Sequence, residues 1–142
     1  MNIIYRTAAN AKAGRNGQVS TEDGLLSLNL SYPKELGGSG AANNPEQLFA
    51  AGYAACFSNA VLHVARELKI KLESAPVRAE VGIGARADGG FALSVQLDVS
   101  LDMEQGAAQT LVAAAHKVCP YSHAVRGNIT LTLRVNGEVL SA

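Results

Sequence analysis

Apolar and polar residues alternate in several short stretches of the chain, which is the pattern of strands with one buried face. The clearest stretch is FALSVQLDVSL, which follows an Asp88-Gly89-Gly90 turn. Its apolar side carries Phe91, Leu93, Val95, Leu97, Val99 and Leu101. Residues 77–84 alternate after Pro76, and NITLTLRV alternates near the end of the chain. The pattern predicts a strand pair in the middle of the chain and a further strand near its end.

Shorter alternating pieces lie near the beginning of the chain, at residues 3–7, 18–20 and 25–30. An Asn-Gly pair in GRNG (14–17) and the pair Asp23-Gly24 separate them. Both dipeptides suit the positive φ angles of tight hairpin turns. A three-stranded β-meander is the simplest interpretation, and the Gly-rich residues 33–43 that follow it are expected to form a loop.

A strong helix signal follows this loop. Asn44 offers an N-cap, Pro45 suits the first helical position, Glu46 favours the positive helix end, and Gln47 can close a capping box. The next residues are rich in Ala and lack proline, so we expect a mostly buried helix of about 25 residues, about 37 Å long. A second helix is expected at 104–117, with Pro120 ending it or starting a new turn.

The predicted order is strands, helix, strands, helix, strand, which indicates an α+β fold of antiparallel meander sheets packed on two main helices. A chain of 142 residues has the usual size of one domain, so we expect a single domain over residues 1–142. No internal repeat or low-complexity tract interrupts this order.

Charge and hydropathy narrow the possible functions. The 12 basic and 12 acidic residues balance, and no stretch combines Lys or Arg with aromatic residues as a nucleic-acid surface would. The first residues, MNIIYRTAANAK, lack the pattern of a leader, and no segment approaches the roughly 20 apolar residues that span a bilayer. We therefore expect a soluble cytoplasmic protein that contacts neither nucleic acid nor membrane.

The chain has two cysteines, Cys56 in the middle of the first predicted helix and Cys119 in the string VCPYSHA. Because the cytosol keeps thiols reduced, two cysteines there indicate catalysis, redox sensing, metal binding or plain burial rather than a structural disulfide. Cys56 lies one helical turn from the small residues Gly52 and Ala60, which would let a backbone or a ligand approach the sulfur.

A metal site is a weak alternative. His116, Cys119 and His123 have the spacing H-x2-C-x3-H, but a closed zinc site needs a fourth ligand, which would be the distant Cys56 or His63. We expect His116 and His123 to face solvent or to compensate a helix dipole. Because that ligand signal is weak, no bound metal is expected. No Gly-rich loop has phosphate-binding spacing, so no bound nucleotide cofactor is expected either.

Five ordered blocks, GRNG, PKELGG, NPEQLFAAGYAACF, VCPYSHA and RGNI, resemble the organic hydroperoxide resistance proteins of the OsmC/Ohr superfamily. The resemblance covers nearly the whole chain and includes both cysteines. The string PEQLFAAGY and the Tyr of CPYS favour the Ohr branch over the OsmC branch. Related sequences commonly carry Asn in place of His123 and a Gly-Gly-Arg string in place of Ala13-Gly14-Arg15.

The resemblance implies an OsmC/Ohr-like fold, an intertwined homodimer with active sites at the subunit interface, and a thiol peroxidase that acts on organic hydroperoxides. It implies that Cys56 attacks the peroxide and becomes a sulfenic acid, and that Cys119 then closes a Cys56–Cys119 disulfide. Dihydrolipoamide, carried on a lipoylated protein, is the implied reductant.

Arg15 and Glu46 match the active-site Arg and Glu of the family. A thiol with a pKa near 8.5 must ionise to attack, so a guanidinium at Arg15 would lower that pKa while Glu46 holds the guanidinium in place. Glu46 and Cys56 would lie about 15 Å apart along one unbroken helix. Either the helix breaks between them or Glu46 comes from the partner subunit, and we predict the latter.

Apolar neighbours of the two cysteines suggest the kind of substrate. Leu48, Phe49, Phe57 and Tyr121 would line an apolar pocket for alkyl or fatty-acid hydroperoxides, or would belong to the core. The hydroxyls of Tyr53 and Tyr121 would orient the peroxide or the Arg-Glu pair. Two hypotheses remain, a two-cysteine peroxidase and a thiol redox sensor or small-ligand-binding protein on the same scaffold.

Overall fold

A computed structural model describes residues 1–141 of the protein. The chain divides into two compact units, Met1–Leu48 and Phe49–Ala142. Each unit has its own sheet, and the long first helix begins in the first unit and continues in the second. The expectation of a single domain over residues 1–142 stays a prediction.

The first unit contains a three-stranded antiparallel sheet in the order β1-β2-β3, so the predicted meander is confirmed. Its strands are β1 (Ala9–Lys12), β2 (Gln18–Thr21) and β3 (Ser27–Asn29). The strand predicted at residues 3–7 is wrong, because pairing starts where Ala9 faces Thr21, the last residue of β2. Residues before Ala9 therefore have no β2 residue opposite them.

The turn between β1 and β2 differs in detail from the prediction. Ala13 and Gly14, rather than Asn16 and Gly17, take the positive φ angles of 62° and 57°. Gly17 is required for another reason, since a Cβ there would overlap the carbonyl oxygen of Lys12. At the second turn Gly24 has a φ of 77°, as the Asp-Gly pair predicts.

Burial is sparse in the first unit. Within residues 1–48, all of which are described, only Leu30, Ser31 and Asn44 are buried. Large apolar side chains are exposed instead, among them Ile4, Tyr5, Leu25 and Leu36. Residues 33–43 form the predicted loop, apart from a short 3-10 turn at Lys34–Leu36.

Helix α1 spans Pro45–Glu67 without a break and confirms the first predicted helix. The capping box is present: Gln47 donates its backbone N–H to Oδ1 of Asn44, and Asn44 donates its own to Oε1 of Gln47. The helix was expected to be mostly buried, but this is wrong for the single chain. Its buried residues are Tyr53, Phe57, Ala60, Val61, Val64 and Ala65.

The opposite face of α1 is open. Ala51, Ala55 and Asn59, spaced four residues apart, are all exposed. By length and composition α1 would also suffice to cross a membrane, with a mean hydropathy of 1.4, contrary to the sequence-based expectation. The core helix of a soluble protein meets the same criteria, so this finding is weak support for a membrane span.

The second unit contains a four-stranded sheet in the order β4-β5-β6-β7. Its strands are β4 (Val77–Ala85), β5 (Phe91–Val99), β6 (Thr130–Val135) and β7 (Glu138–Val139). The pairs are antiparallel except β5 and β6, which are parallel. A helical crossover explains this departure from a pure meander, because it returns the chain to the end where β5 began.

The crossover consists of α2 (Gln105–Val118) and α3 (Pro120–Val125). Of the two predicted roles for Pro120, the start of a new turn is the one observed. Glu104 caps α2 by accepting the backbone N–H groups of Gly106 and Ala107. Side chains of α1, α2, β5 and β6 form one core. Phe91, predicted on the buried side of β5, is exposed at the outer end of that strand.

Leu111 tests this core because its side chain on α2 is fully buried. We expect Leu111→Ala to lower the free energy of unfolding by about 3 kcal/mol, since it removes buried methyl groups and leaves a cavity. Leu68→Ala is the matched control, because Leu68 is 54% exposed. Urea unfolding at equal protein concentration measures both, and equal losses would contradict the described core.

Candidate active site

The structure brings the two predicted cysteines together within the second unit. Cys56 lies in α1 and Cys119 between α2 and α3, and their Sγ atoms are 3.6 Å apart. Both are free thiols, Cys119 fully buried and Cys56 partly exposed. A disulfide has an S–S distance near 2.05 Å, so a closure of about 1.5 Å would join them.

Local backbone geometry explains the position of Cys119. Its N–H donates to the carbonyl of Ala115 at the end of α2, and its own carbonyl accepts the N–H of His123 in α3. Its backbone is extended, as expected for a residue before proline. Cys119 is therefore the junction of two helices, and its side chain points to the middle of α1.

Burial raises the pKa of the Cys56 thiol above its ordinary value. The backbone N–H of Tyr121 opposes this effect, because a hydrogen bond to the sulfur favours the thiolate. The neighbouring Cys119 thiol raises the pKa further. The combined result of these contacts favours the neutral thiol.

The aromatic residues predicted beside the cysteines divide into two groups. Tyr53 and Phe57 are fully buried and belong to the core, whereas Tyr121 is 41% exposed. Phe49 packs against the core, with its ring in an edge-on contact with that of Tyr53. Only Phe49 and Tyr121 therefore keep the partial exposure that a substrate contact needs.

Two more residues shape this region: Ser122, which the sequence analysis did not assign, and Gly52, which was expected as a small neighbour of Cys56. Ser122 is buried, and its Oγ lies 2.7 Å from the hydroxyl oxygen of Tyr53. Gly52 lies under Tyr121, because a Cβ there would be 3.1 Å from the tyrosine hydroxyl. The signal for both was their position one turn from a cysteine, Gly52 before Cys56 and Ser122 after Cys119.

Arg15 and Glu46 form the predicted ion pair in the first unit. The guanidinium donates from Nη1 to Oε2 at 2.7 Å and from Nη2 to Oε1 at 2.6 Å. The two side chains are 26% and 14% exposed, so solvent screens the pair only in part. These hydrogen bonds lower the pKa of Glu46 and raise that of Arg15.

The continuity of α1 limits how Glu46 could reach the site that contains Cys56. Of the two alternatives, a break in the helix between Glu46 and Cys56 is wrong. The other alternative, that Glu46 reaches the site from the partner subunit, stays a prediction.

The positions of the histidines bear on the metal alternative. His123 is exposed, as expected. Burial and the positive charge of Arg126 lower the pKa of His116, so His116 is a poor cation to compensate the α2 dipole, contrary to expectation. Within residues 1–141 no cluster of three or more His, Cys, Asp or Glu side chains has an arrangement that could hold a metal ion.

A family model for OsmC-like proteins matches residues 37–134 of the chain. An organic hydroperoxide resistance protein of Xanthomonas axonopodis pv. citri is 48% identical over 134 residues, which cover 92% of this chain and 94% of that protein. The organic hydroperoxide resistance protein OhrB of Bacillus subtilis is 40% identical over 93% of this chain and 98% of its own length.

Solved structures agree with these sequence matches. A Vibrio cholerae structure described as an organic hydroperoxide resistance protein, with captopril in one of its active sites, has a TM-score of 0.96 and 66% identity. The match covers 99% of this chain and 97% of that one. The crystal structure of OhrB of B. subtilis has a TM-score of 0.85 and 39% identity, over 94% and 99% of the two chains.

The ion pair between Arg15 and Glu46 should be visible in a double-mutant cycle with Arg15→Gln and Glu46→Gln. We expect a coupling of about 1 kcal/mol in the free energy of unfolding at pH 7. Since the pKa of Glu46 is lowered in the folded state, this stability is present above the unfolded pKa of 4.5. It is lost as the pH falls through the lower folded value.

Urea unfolding at pH 7 and in acid measures this coupling. The matched control is Arg86 with Asp88, a similarly short bidentate pair whose side chains are 52% and 66% exposed. Its coupling should be smaller, and equal coupling in the two cycles would contradict a special role for burial of the Arg15 pair.

Proposed function

The chain belongs to the OsmC-like family and, within it, to the organic hydroperoxide resistance proteins, and from this premise we propose a thiol peroxidase that reduces organic hydroperoxides to alcohols. Family membership itself supports a role in organic hydroperoxide resistance and stress defence. The observation that carries the finer proposal is the pair of free thiols with Sγ atoms 3.6 Å apart.

The reaction has two steps on this thiol pair. In the first, the Cys56 thiolate attacks the outer peroxide oxygen, which carries the hydrogen, the O–O bond breaks, and the alkoxide takes a proton and leaves as an alcohol. Cys56 is then a sulfenic acid. In the second step the sulfur of Cys119 attacks the Cys56 sulfur, water leaves, and a disulfide forms. Two electrons pass from the thiols to the peroxide.

The first step needs a thiolate, whereas burial and Cys119 together raise the pKa of Cys56. A cation near the sulfur would reverse this balance. Arg15 suits that role because a guanidinium stays charged at all working pH values and has donors beyond those that it gives to Glu46. We assign Arg15 to activation of Cys56, and Glu46 to holding the guanidinium.

The proposed active form is a homodimer in which Arg15 and Glu46 of one copy serve Cys56 of the other. The first unit buries only Leu30, Ser31 and Asn44, which is too little to hold its sheet without another surface. The exposed face of α1 with Ala51 and Ala55 offers small side chains for close packing. A second copy of the chain would cover both features.

The proposal extends to the substrate and to the reductant. Phe49 and Tyr121 offer apolar surface beside the thiols, which suits alkyl or fatty-acid hydroperoxides better than hydrogen peroxide. The disulfide would be reduced by a dithiol, for which we propose dihydrolipoamide on a lipoylated protein, in the cytoplasm. The second candidate, a redox sensor, would be oxidised once and would not turn over.

The thiol chemistry is tested by adding one equivalent of cumene hydroperoxide to the reduced protein. We expect both thiols to disappear and the intact mass to fall by two hydrogens per chain, because a disulfide forms. Cys119→Ser should stop at the sulfenic acid and gain one oxygen, and Cys56→Ser should not react. Mass spectrometry and a thiol count measure all three.

Repeated additions with dihydrolipoamide present separate the two candidates. An enzyme consumes many equivalents of hydroperoxide, whereas a sensor stops after one. Two unreacted thiols in the wild-type protein would contradict both candidates.

Subunit complementation tests which subunit supplies Arg15 to each Cys56. Arg15→Met and Cys56→Ser should each lose most peroxidase activity as homodimers. Co-expressed with different tags and purified through both, their heterodimer should regain about half of the wild-type activity, because one of its two sites combines an intact Cys56 with an intact Arg15.

The reciprocal heterodimer is the control. A chain with both Arg15→Met and Cys56→Ser, paired with a wild-type chain, should be nearly inactive if the sites are shared between subunits. If each chain instead completes its own site, this control keeps half of the activity and the first heterodimer gains none, and the shared site is wrong.

A further inference from the structure

A buried hydrogen bond joins Tyr53 of α1 to Ser122 of α3, with 2.7 Å between their hydroxyl oxygens. We propose that these two residues are positioning residues for the second chemical step: they hold Cys119 against the Cys56 sulfenic acid until the disulfide forms. This inference rests on the proposed peroxidase function. It assigns Tyr53 and Ser122 to disulfide formation rather than to contact with the peroxide.

The geometry makes the hydrogen bond a second link parallel to the future disulfide. Tyr53 lies three residues before Cys56 in α1, and Ser122 lies three residues after Cys119. Each pair is therefore about one helical turn apart, on one face of its helix. The Tyr53–Ser122 hydrogen bond and the Cys56–Cys119 contact both lie between α1 and α3, whose chain directions are antiparallel there. The hydrogen bond therefore fixes the position of α3 on α1 close to the two sulfurs.

Helix α3 needs such a link because it has only six residues, Pro120–Val125. A helix of that length has little stability of its own and depends on tertiary contacts. Ser122 and Val125 are its buried residues. Since both Tyr53 and Ser122 are fully buried, water does not compete for their hydrogen bond, and breaking it leaves a buried hydroxyl without a partner.

Position matters because two reactions compete for the Cys56 sulfenic acid. Attack by the Cys119 sulfur forms the disulfide and releases water. Attack on a second hydroperoxide instead transfers another oxygen to the sulfur, giving a sulfinic acid and an alcohol, and that product does not return to the cycle. To form the disulfide, the Sγ atoms must close from 3.6 Å to near 2.05 Å. A displaced α3 therefore slows disulfide formation and leaves the reaction with a second hydroperoxide unchanged.

Tyr53→Phe tests the inference because it removes one oxygen and keeps the ring in the core. We expect the ratio of sulfinic acid to disulfide, at a fixed excess of cumene hydroperoxide, to rise about 3- to 10-fold, the range that one buried hydrogen bond supports. Intact mass measures the ratio, since the disulfide loses two hydrogens and the sulfinic acid gains two oxygens. Tyr5→Phe is the matched control, because Tyr5 is 76% exposed.

Two further variants separate positioning from a general loss of structure. In the Cys119→Ser background, and at a pH high enough to ionise Cys56 with or without the Tyr121 hydrogen bond, Tyr53→Phe should leave the rate of sulfenic acid formation unchanged, because Cys119 supplies no atom to the first step. Ser122→Ala should raise the sulfinic acid ratio as Tyr53→Phe does, and the double variant should raise it no further.

The outcomes distinguish this inference from the proposed function. If the wild-type protein forms a disulfide and Tyr53→Phe and Ser122→Ala leave the product ratio unchanged, the positioning role is wrong and the peroxidase stands. If the variant slows sulfenic acid formation in the Cys119→Ser background, the hydroxyl acts on the first step and the inference is also wrong. A wild-type protein without disulfide formation would remove the peroxidase proposal itself.

Discussion

The position of α3 on α1 is the constraint on which the thiol chemistry depends. It brings Cys119 to Cys56, excludes water from Cys119, and aims the backbone N–H of Tyr121 at the Cys56 sulfur. These contacts have opposite electrostatic effects, because burial favours the neutral thiol and the N–H favours the thiolate. A site that holds two thiols this close, one of them fully buried, therefore favours the neutral form of Cys56 unless a separate positive charge lies near the sulfur.

The first unit is organised around a charge pair rather than a core. Its sheet buries almost nothing, yet Arg15 and Glu46 form a bidentate pair with little exposure. A guanidinium fixed by a carboxylate keeps its direction even where the surrounding packing is thin. The sheet thus holds a guanidinium whose direction is fixed, and it leaves large apolar side chains such as Leu25 and Leu36 exposed.

Much of the fold and of the site could be predicted from the sequence. The capping box placed the start of α1, and alternation placed β4, β5 and β6, because these signals are local. The fork between Arg15 and Glu46 and the approach of Cys119 to Cys56 came from the family resemblance. The strand expected at residues 3–7 failed because pairing depends on where the neighbouring strand ends.

Other features could not be predicted because they depend on long-range packing. The parallel pairing of β5 and β6 depends on the path of the crossover, and the hydrogen bond of Tyr53 with Ser122 joins residues 69 positions apart. Alanine-rich sequence indicated a buried α1, yet the single chain covers one face only. The amino-acid composition of a helix indicates that its surface is apolar, but it does not indicate what covers that surface.

Cys119 has one further property that follows from its place in the backbone. Its N–H belongs to the last turn of α2 and its carbonyl to the first turn of α3, so one residue joins two helices. A bond made at its sulfur pulls on both helix ends at once. Oxidation of the side chain therefore strains the backbone hydrogen bonds on both sides of Cys119. Amide hydrogen exchange at Cys119 and His123 detects that change without any chemical label.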